Sequence, residues 1–107
     1  MRRLPVEFQP EASADLAANF RGVLDVSRSA ATAEGFVRRI VDRCERIGDA
    51  PRGGRSRDDL RVGLRTVPFE RSTVIAYVVE SDRVLIANVF HGGRDYEALY
   101  RSERPDP

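Results

Sequence analysis

Val74-Ile75-Ala76-Tyr77-Val78-Val79, followed after Glu80-Ser81-Asp82-Arg83 by Val84-Leu85-Ile86-Ala87-Asn88-Val89-Phe90-His91, is the stretch that decides the fold. Side chains on a strand alternate between two faces. Here both alternating sets are apolar: Val74, Ala76 and Val78 beside Ile75, Tyr77 and Val79, then Val84, Ile86 and Phe90 beside Leu85, Ala87 and Val89. Strands of that composition are central in a sheet and covered on both sides. The polar break between them is of hairpin size, so extended segments over 72–80 and 83–91 are predicted to pair antiparallel. A third extended segment precedes them over 64–69, and its Arg65 and Pro68 mark it as an edge.

Working outward, the cover for such a sheet lies in the first half of the chain. Leu16, Phe20, Val23 and Leu24 recur at helical spacing, which predicts a helix over about 10–27. Pro10 suits its first turn, and Glu11 and Asp15 suit the positive end of its dipole. Ser29 can cap a second helix in which Ala33, Phe36, Val37, Ile40, Val41, Cys44 and Ile47 form a wide apolar stripe. The connection between the two is short, so they form an antiparallel hairpin whose apolar faces need a partner. Leu4–Phe8 reads as a first strand, Gly48 and Pro51 stop the second helix, and 52–57 has loop composition. A short last helix is expected from Asp95, ahead of a frayed tail, Arg104-Pro105-Asp106-Pro107. The expectation is an α+β fold of order β-α-α-β-β-β with a short C-terminal helix, in which an antiparallel sheet packs against a helical hairpin. It forms one domain over 1–107.

Composition narrows what such a domain can do. Uncharged apolar runs such as Val84 to Phe90 are far too short to cross a bilayer. Pro5, Glu7 and Gln9 interrupt any apolar region after Met1-Arg2-Arg3, so no secretory signal is expected and the protein is read as cytoplasmic, without a membrane role. The single cysteine, Cys44, falls among apolar helical neighbours and reads as a buried thiol. With one histidine and one cysteine there is no metal-spaced cluster, and no phosphate-cradling glycine loop opens a helix, so neither metal nor cofactor is expected. All eighteen basic residues are arginine, which removes lysine chemistry and leaves planar guanidinium groups for any cationic site. Six of them fall between Arg52 and Arg71 against three acids, Asp58, Asp59 and Glu70, while the whole chain carries only +1. That local excess fits an acidic protein partner or a small phosphate site better than a long duplex. The second helix mixes Arg38, Arg39, Arg43 and Arg46 with Glu34, Asp42 and Glu45, a solvated face without a DNA-recognition pattern.

Two constellations carry candidate chemistry. His91-Gly92-Gly93-Arg94-Asp95-Tyr96-Glu97 places the only histidine, an arginine and a tyrosine at the end of a central strand. His91, Arg94 and Tyr96 can project from it into a concave site. The same residues also fit a plain turn in which His91 ends the strand and Arg94 pairs with Asp95. In Gly54-Arg55-Ser56-Arg57-Asp58-Asp59-Leu60-Arg61-Val62-Gly63-Leu64-Arg65, the arginines at 57, 61 and 65 are four apart and suit bidentate recognition of phosphate or carboxylate. Asp58 and Asp59 can equally neutralise them within the loop.

The order of these motifs, with Ile75-Ala76-Tyr77 between them, Phe8-Gln9-Pro10-Glu11-Ala12 leading the first helix and Cys44-Glu45-Arg46-Ile47 closing the second, resembles the RelE/ParE toxin superfamily, and within it the ParE-like group. The resemblance covers nearly the whole chain. It implies a type II toxin–antitoxin toxin with a cognate antitoxin encoded beside it, the two forming a hetero-oligomer in which the antitoxin's C-terminal segment lies along an apolar surface of the toxin. ParE-like members are associated with DNA gyrase and trap it on cleaved DNA, without covalent chemistry by the toxin. The contacts expected with such a target are Arg57, Arg61, Arg65, His91, Arg94 and Tyr96, on the surface formed by the last strand and the two constellations, and replacement of His91 and Arg94 by alanine is expected to reduce toxicity. RelE-like members instead cut mRNA on the ribosome, which needs an acid, a base and cations around the phosphate. His91 and Tyr96 with Arg65 and Arg94, helped by Arg61 and Arg71, would supply that alternative. The lack of lysine and the near-neutral charge favour the gyrase branch, and no catalytic residue is then expected.

Overall fold

The break at 80–83 turns the chain as its composition requires: Glu80 donates its backbone N–H to the Arg83 carbonyl at 2.8 Å. The strands it joins, β4 (Thr73–Val79) and β5 (Val84–His91), pair antiparallel. The computed structural model describes residues 3–92 and 94–102; Gly93 and the tail 104–107 lie outside the described residues. Ahead of β4 and β5 come β1 (Val6–Phe8), α1 (Pro10–Ser27), α2 (Ala30–Ile47), a 3-10 turn at Pro51–Gly53, β2 (Arg55–Ser56) and β3 (Leu64–Phe69); α3 (Tyr96–Ser102) follows. The sheet order is β1-β5-β4-β3-β2.

The expected α+β architecture, a sheet packed against a helical hairpin with a short last helix, is the one observed. Two details of the sheet differ from expectation. β1 joins the edge of β5 in parallel, with Val6 beside Val84 and Phe8 beside Ile86, so the sheet is antiparallel only from β5 to β2. A parallel neighbour needs a long crossover, and the α1–α2 hairpin is part of that connection. The second difference is β2, which lies inside the segment read as loop and pairs Arg55 with Thr66 and Ser56 with Arg65. It covers only the first half of β3. Pro68, which has no N–H to offer a further strand, sits in the uncovered half.

Local signals set the helix ends. Ser29 Oγ accepts the Thr32 N–H at 3.1 Å as the N-cap of α2, and α1 closes at Arg28, whose φ of 58° lets its N–H reach the Leu24 carbonyl. Gly48 ends α2 against the β1 entry, where any β-carbon would collide with the Leu4 carbonyl oxygen.

A one-residue bulge controls which face each β5 side chain takes. Ala76 pairs with Asn88 but Tyr77 pairs with Ile86, leaving Ala87 as the extra residue. Val84, Ile86 and Val89 therefore share the hairpin face with Ile75, Tyr77 and Val67, and pack on Ala12, Phe36, Ile40, Cys44 and Ile47. Phe90 lies on the opposite face, with Leu60, Leu64, Ala76 and Tyr100. Simple alternation had grouped Phe90 with Val84 and Ile86; the bulge reverses that. Each large aliphatic side chain fully buried in these layers stabilises the fold by about 1.5–3 kcal/mol.

Candidate target-binding surface

The 54–65 segment is built around two clasps on the sheet. Tyr77, fully buried, donates its hydroxyl proton to the Pro51 carbonyl at 2.8 Å and accepts the Gly54 N–H at 2.9 Å. A side chain at 54 would strike the Tyr77 ring, which accounts for glycine there. Arg65, beside Tyr77 in the register, donates Nη1 to the carbonyls of Gly54 at 2.8 Å and Arg52 at 3.2 Å. Arg65 is thus spent on holding the backbone of the turn before β2.

Beyond β2 the chain makes a tight turn closed by hydrogen bonds. Arg57 N–H donates to the Leu64 carbonyl, Leu60 and Arg61 N–H both reach the Arg57 carbonyl, and the Asp58 carboxylate accepts the Gly63 N–H at 2.8 Å. Gly63 has φ of +83°, a conformation that favours glycine. Leu60 is buried as the anchor, so the tip presents Arg61 and Val62 outward, with Val62 88% exposed.

Arg57 is not at the tip but in the junction beneath it. Its guanidinium grips Asp59 through Nε (3.0 Å) and Nη2 (2.9 Å), Glu97 through Nη2 (2.6 Å) and the Tyr96 hydroxyl through Nη1 (3.1 Å). Its side chain is 7% exposed while those of Asp59 and Glu97 are 56% and 40% exposed. Hydrogen bonding to Asp59, then to Glu97, pushes the Arg57 pKa above its usual range, and the same bond holds Asp59 down to about 2. α3 is N-capped by Asp95, whose carboxylate accepts the Ala98 N–H at 3.1 Å. Tyr96 and Tyr100 flank Phe90, with ring centroids at 5.4 and 5.9 Å, and the Arg94 guanidinium lies 5.5 Å from the Phe90 ring. Arg94 also borders a shallow cleft of about 150 Å³ with Asp15, Asn88, Leu99 and Tyr100.

His91 does not join them. Past the bulge it faces the helical hairpin, where its ring sits 5.0 Å from that of Phe36 and its Nδ1 shares a 2.9 Å hydrogen bond with the Thr73 hydroxyl. The concave site expected from His91, Arg94 and Tyr96 is therefore divided between the two faces of the sheet. Of the six residues proposed from sequence, Arg57, Arg61, Arg94 and Tyr96 lie on the α3 side, whereas Arg65 and His91 lie on the hairpin side. The ribonuclease set, His91, Arg65, Arg94 and Tyr96, does not converge on one point. Arg65 pairs with Tyr77 and His91 with Thr73, four residues apart on β4, roughly 13 Å along the strand. Arg71 is exposed, within the β3–β4 turn.

The Arg57–Asp59 pairing is the alternative read from the loop, in which the acids neutralise the neighbouring arginines. Sequence reasoning missed Glu97 as the second carboxylate on Arg57, and Phe90 as the platform under Arg94. Among the described residues, no group of three or more His, Cys, Asp or Glu side chains is placed to hold a metal ion, and no helix is long and apolar enough to cross a membrane.

No curated protein matches the chain at a significant level. Among solved structures it is similar to the chromosomal ParDE TA system from P. aeruginosa, with a TM-score of 0.72 over 83% of this chain and 96% of that one. At 21% identity that likeness is one of fold. The family model described as the ParE toxin of type II toxin–antitoxin systems, parDE, matches residues 6–96, from β1 through the first residue of α3. With a match over all five strands and both long helices, the chain belongs to the ParE toxin family of type II toxin–antitoxin systems.

Proposed function

We propose that this toxin arrests growth by binding DNA gyrase in the cytoplasm, and that a cognate antitoxin encoded nearby neutralises it as a hetero-oligomer. The family match over residues 6–96 carries this reading. The surface supports it in a second way. The α3 side offers a rigid tip with Arg61 and Val62 beside an aromatic platform topped by Arg94 and Tyr96, an arrangement for contact rather than for chemistry. These four residues are the proposed target contacts. His91 and Arg65 serve the scaffold instead, each held by intramolecular bonds on the other side of the sheet.

Cutting mRNA on the ribosome, as RelE-like toxins do, requires an acid and a base within reach of one ribose and its phosphate. The groups that would supply them here are dispersed, so that alternative gains no support. The antitoxin is expected to be acidic and partly disordered before binding, folding onto apolar surface of the toxin. Purified toxin in a gyrase supercoiling reaction, run beside a ribosome-programmed mRNA cleavage reaction, tests the reading: loss of supercoiling with intact mRNA is expected, and the reverse pattern overturns it. Growth arrest that no neighbouring reading frame relieves on co-expression would remove the antitoxin from the account.

A further inference from the structure

Arg57 supports an inference that deepens the gyrase reading and rests on it for the identity of the target. Arg57 joins three pieces: its guanidinium bonds the 58–63 turn through Asp59 and the start of α3 through Tyr96 and Glu97, and its backbone N–H bonds the Leu64 carbonyl of β3. We propose that Arg57 is a positioning residue, buried away from the target, that locks the turn bearing Arg61 and Val62 to α3 and Arg94 so that they meet gyrase as one preformed surface.

The argument is one of geometry and solvation. A seven-residue helix has no stability of its own. α3 is held at its far end by Tyr100, packed on Phe90 and bonded to Asn88, and at its start by Tyr96 on Phe90 and by the Arg57 junction. Removing the guanidinium unties Asp59 from Glu97; both carboxylates are already about half in water, and Glu97 keeps its 3.5 Å pairing with Arg101, so the two can move apart. The response is local release of the start of α3 and the turn, while the hairpin face, which shares none of the Arg57 bonds, keeps its packing. Lysine at 57 keeps the charge but not the planar fork that bonds two carboxylates and a hydroxyl together.

A surface assembled only part of the time binds more weakly in proportion to the assembled fraction. If release leaves about a tenth of molecules assembled, affinity falls about tenfold. That loss appears in the association rate, because an assembled molecule still makes every contact. A residue that touched the target itself would raise the dissociation rate instead.

The test compares full-length wild type, Arg57→Lys and Glu97→Gln, the last loosening the same junction from the α3 side. Amide exchange is measured along α3 and β5, surface-binding kinetics on purified gyrase, and growth arrest against induction level. The expected result for both variants is faster exchange at 98–100 with β5 unchanged, association slowed about tenfold with dissociation unchanged, and a correspondingly higher induction level for arrest. Released α3 with wild-type association and arrest overturns the proposal, as does a change confined to dissociation. Wild-type toxin that arrests growth without binding gyrase overturns the gyrase reading alone, and the positioning role is then read from exchange and arrest.

Discussion

Asp15 of α1 caps the open edge of β5: its Oδ2 accepts the backbone N–H of Val89 at 2.8 Å, and the same oxygen accepts Asn88 Nδ2 at 3.1 Å. Asn88 Oδ1 in turn accepts the Tyr100 hydroxyl at 2.8 Å, so one chain of bonds runs from the helical hairpin through the sheet to α3. β1 pairs with β5 only as far as Ile86, and beyond that point the first helix takes over the duty of a neighbouring strand.

Replacing Asp15 by alanine strands the Val89 N–H and releases Asn88. An unsatisfied donor at such a site costs about 1–3 kcal/mol. Urea unfolding should show a midpoint shift of that size with an unchanged slope. Asp15→Asn retains an oxygen for Val89 and should lose less than half as much; equal losses in the two variants would show that the cap contributes through charge alone.

Tyr77→Phe removes one hydroxyl that serves two backbone groups, the Pro51 carbonyl and the Gly54 N–H. A loss of about 1–3 kcal/mol is expected, with the 51–54 turn loosening first. Amide exchange at Gly54 should rise by more than exchange in β4, and a uniform rise across both would contradict the clasp.

Asp59 gives the α3 junction an acid limit. Its folded pKa, held by the Arg57 hydrogen bond at about 2, lies below the ordinary value of 3.8. The stabilisation is therefore complete above about pH 4 and is lost as pH falls through 4 towards 2. α3 amide exchange, corrected for its intrinsic pH dependence, should accelerate in that window, and Asp59→Asn should abolish the dependence. A wild-type profile unchanged down to pH 2 would contradict the pairing.

Cys44 should behave as an inert thiol. Burial pushes its pKa up to about 12, so the thiolate is suppressed in the folded protein. Iodoacetamide at pH 8 should label it only at the rate of unfolding, rising with urea; rapid labelling of native protein would show that the α2 stripe is not closed over it. Because the folded pKa is raised, the related stability is present below about pH 9 and declines as pH rises towards 12.

Much of this architecture could be read from residues alone. The doubly apolar strands, the capping Ser29, the Pro10 helix start and the helix-stopping Gly48 each combine a local physical preference with a matching pattern, and each element appears where those signals put it. β2 escaped notice because a two-residue strand has no periodicity, only a partner. The division of the candidate site escaped for a similar reason. A bulge at Ala87 has no side-chain signature, yet by adding one residue it sends His91 to the hairpin face and Phe90 to the α3 face. Arg57 was singled out by its four-residue spacing from Arg61 and Arg65, but whether an arginine grips its neighbours or a partner depends here on a carboxylate forty residues away, Glu97, which sequence spacing does not reveal.

The most direct test of the gyrase account is the dose of toxin needed to accumulate cleaved DNA in a purified gyrase reaction, compared across wild type, Arg61→Ala, Arg94→Ala and His91→Ala. Wild type should trap gyrase on cleaved DNA. Arg61→Ala and Arg94→Ala should each need about ten times more protein, the loss of a contact worth about 1.4 kcal/mol, and His91→Ala should stay close to wild type. No cleaved DNA at any dose of folded wild-type toxin, or a response that depends on His91 and ignores Arg61 and Arg94, would contradict it.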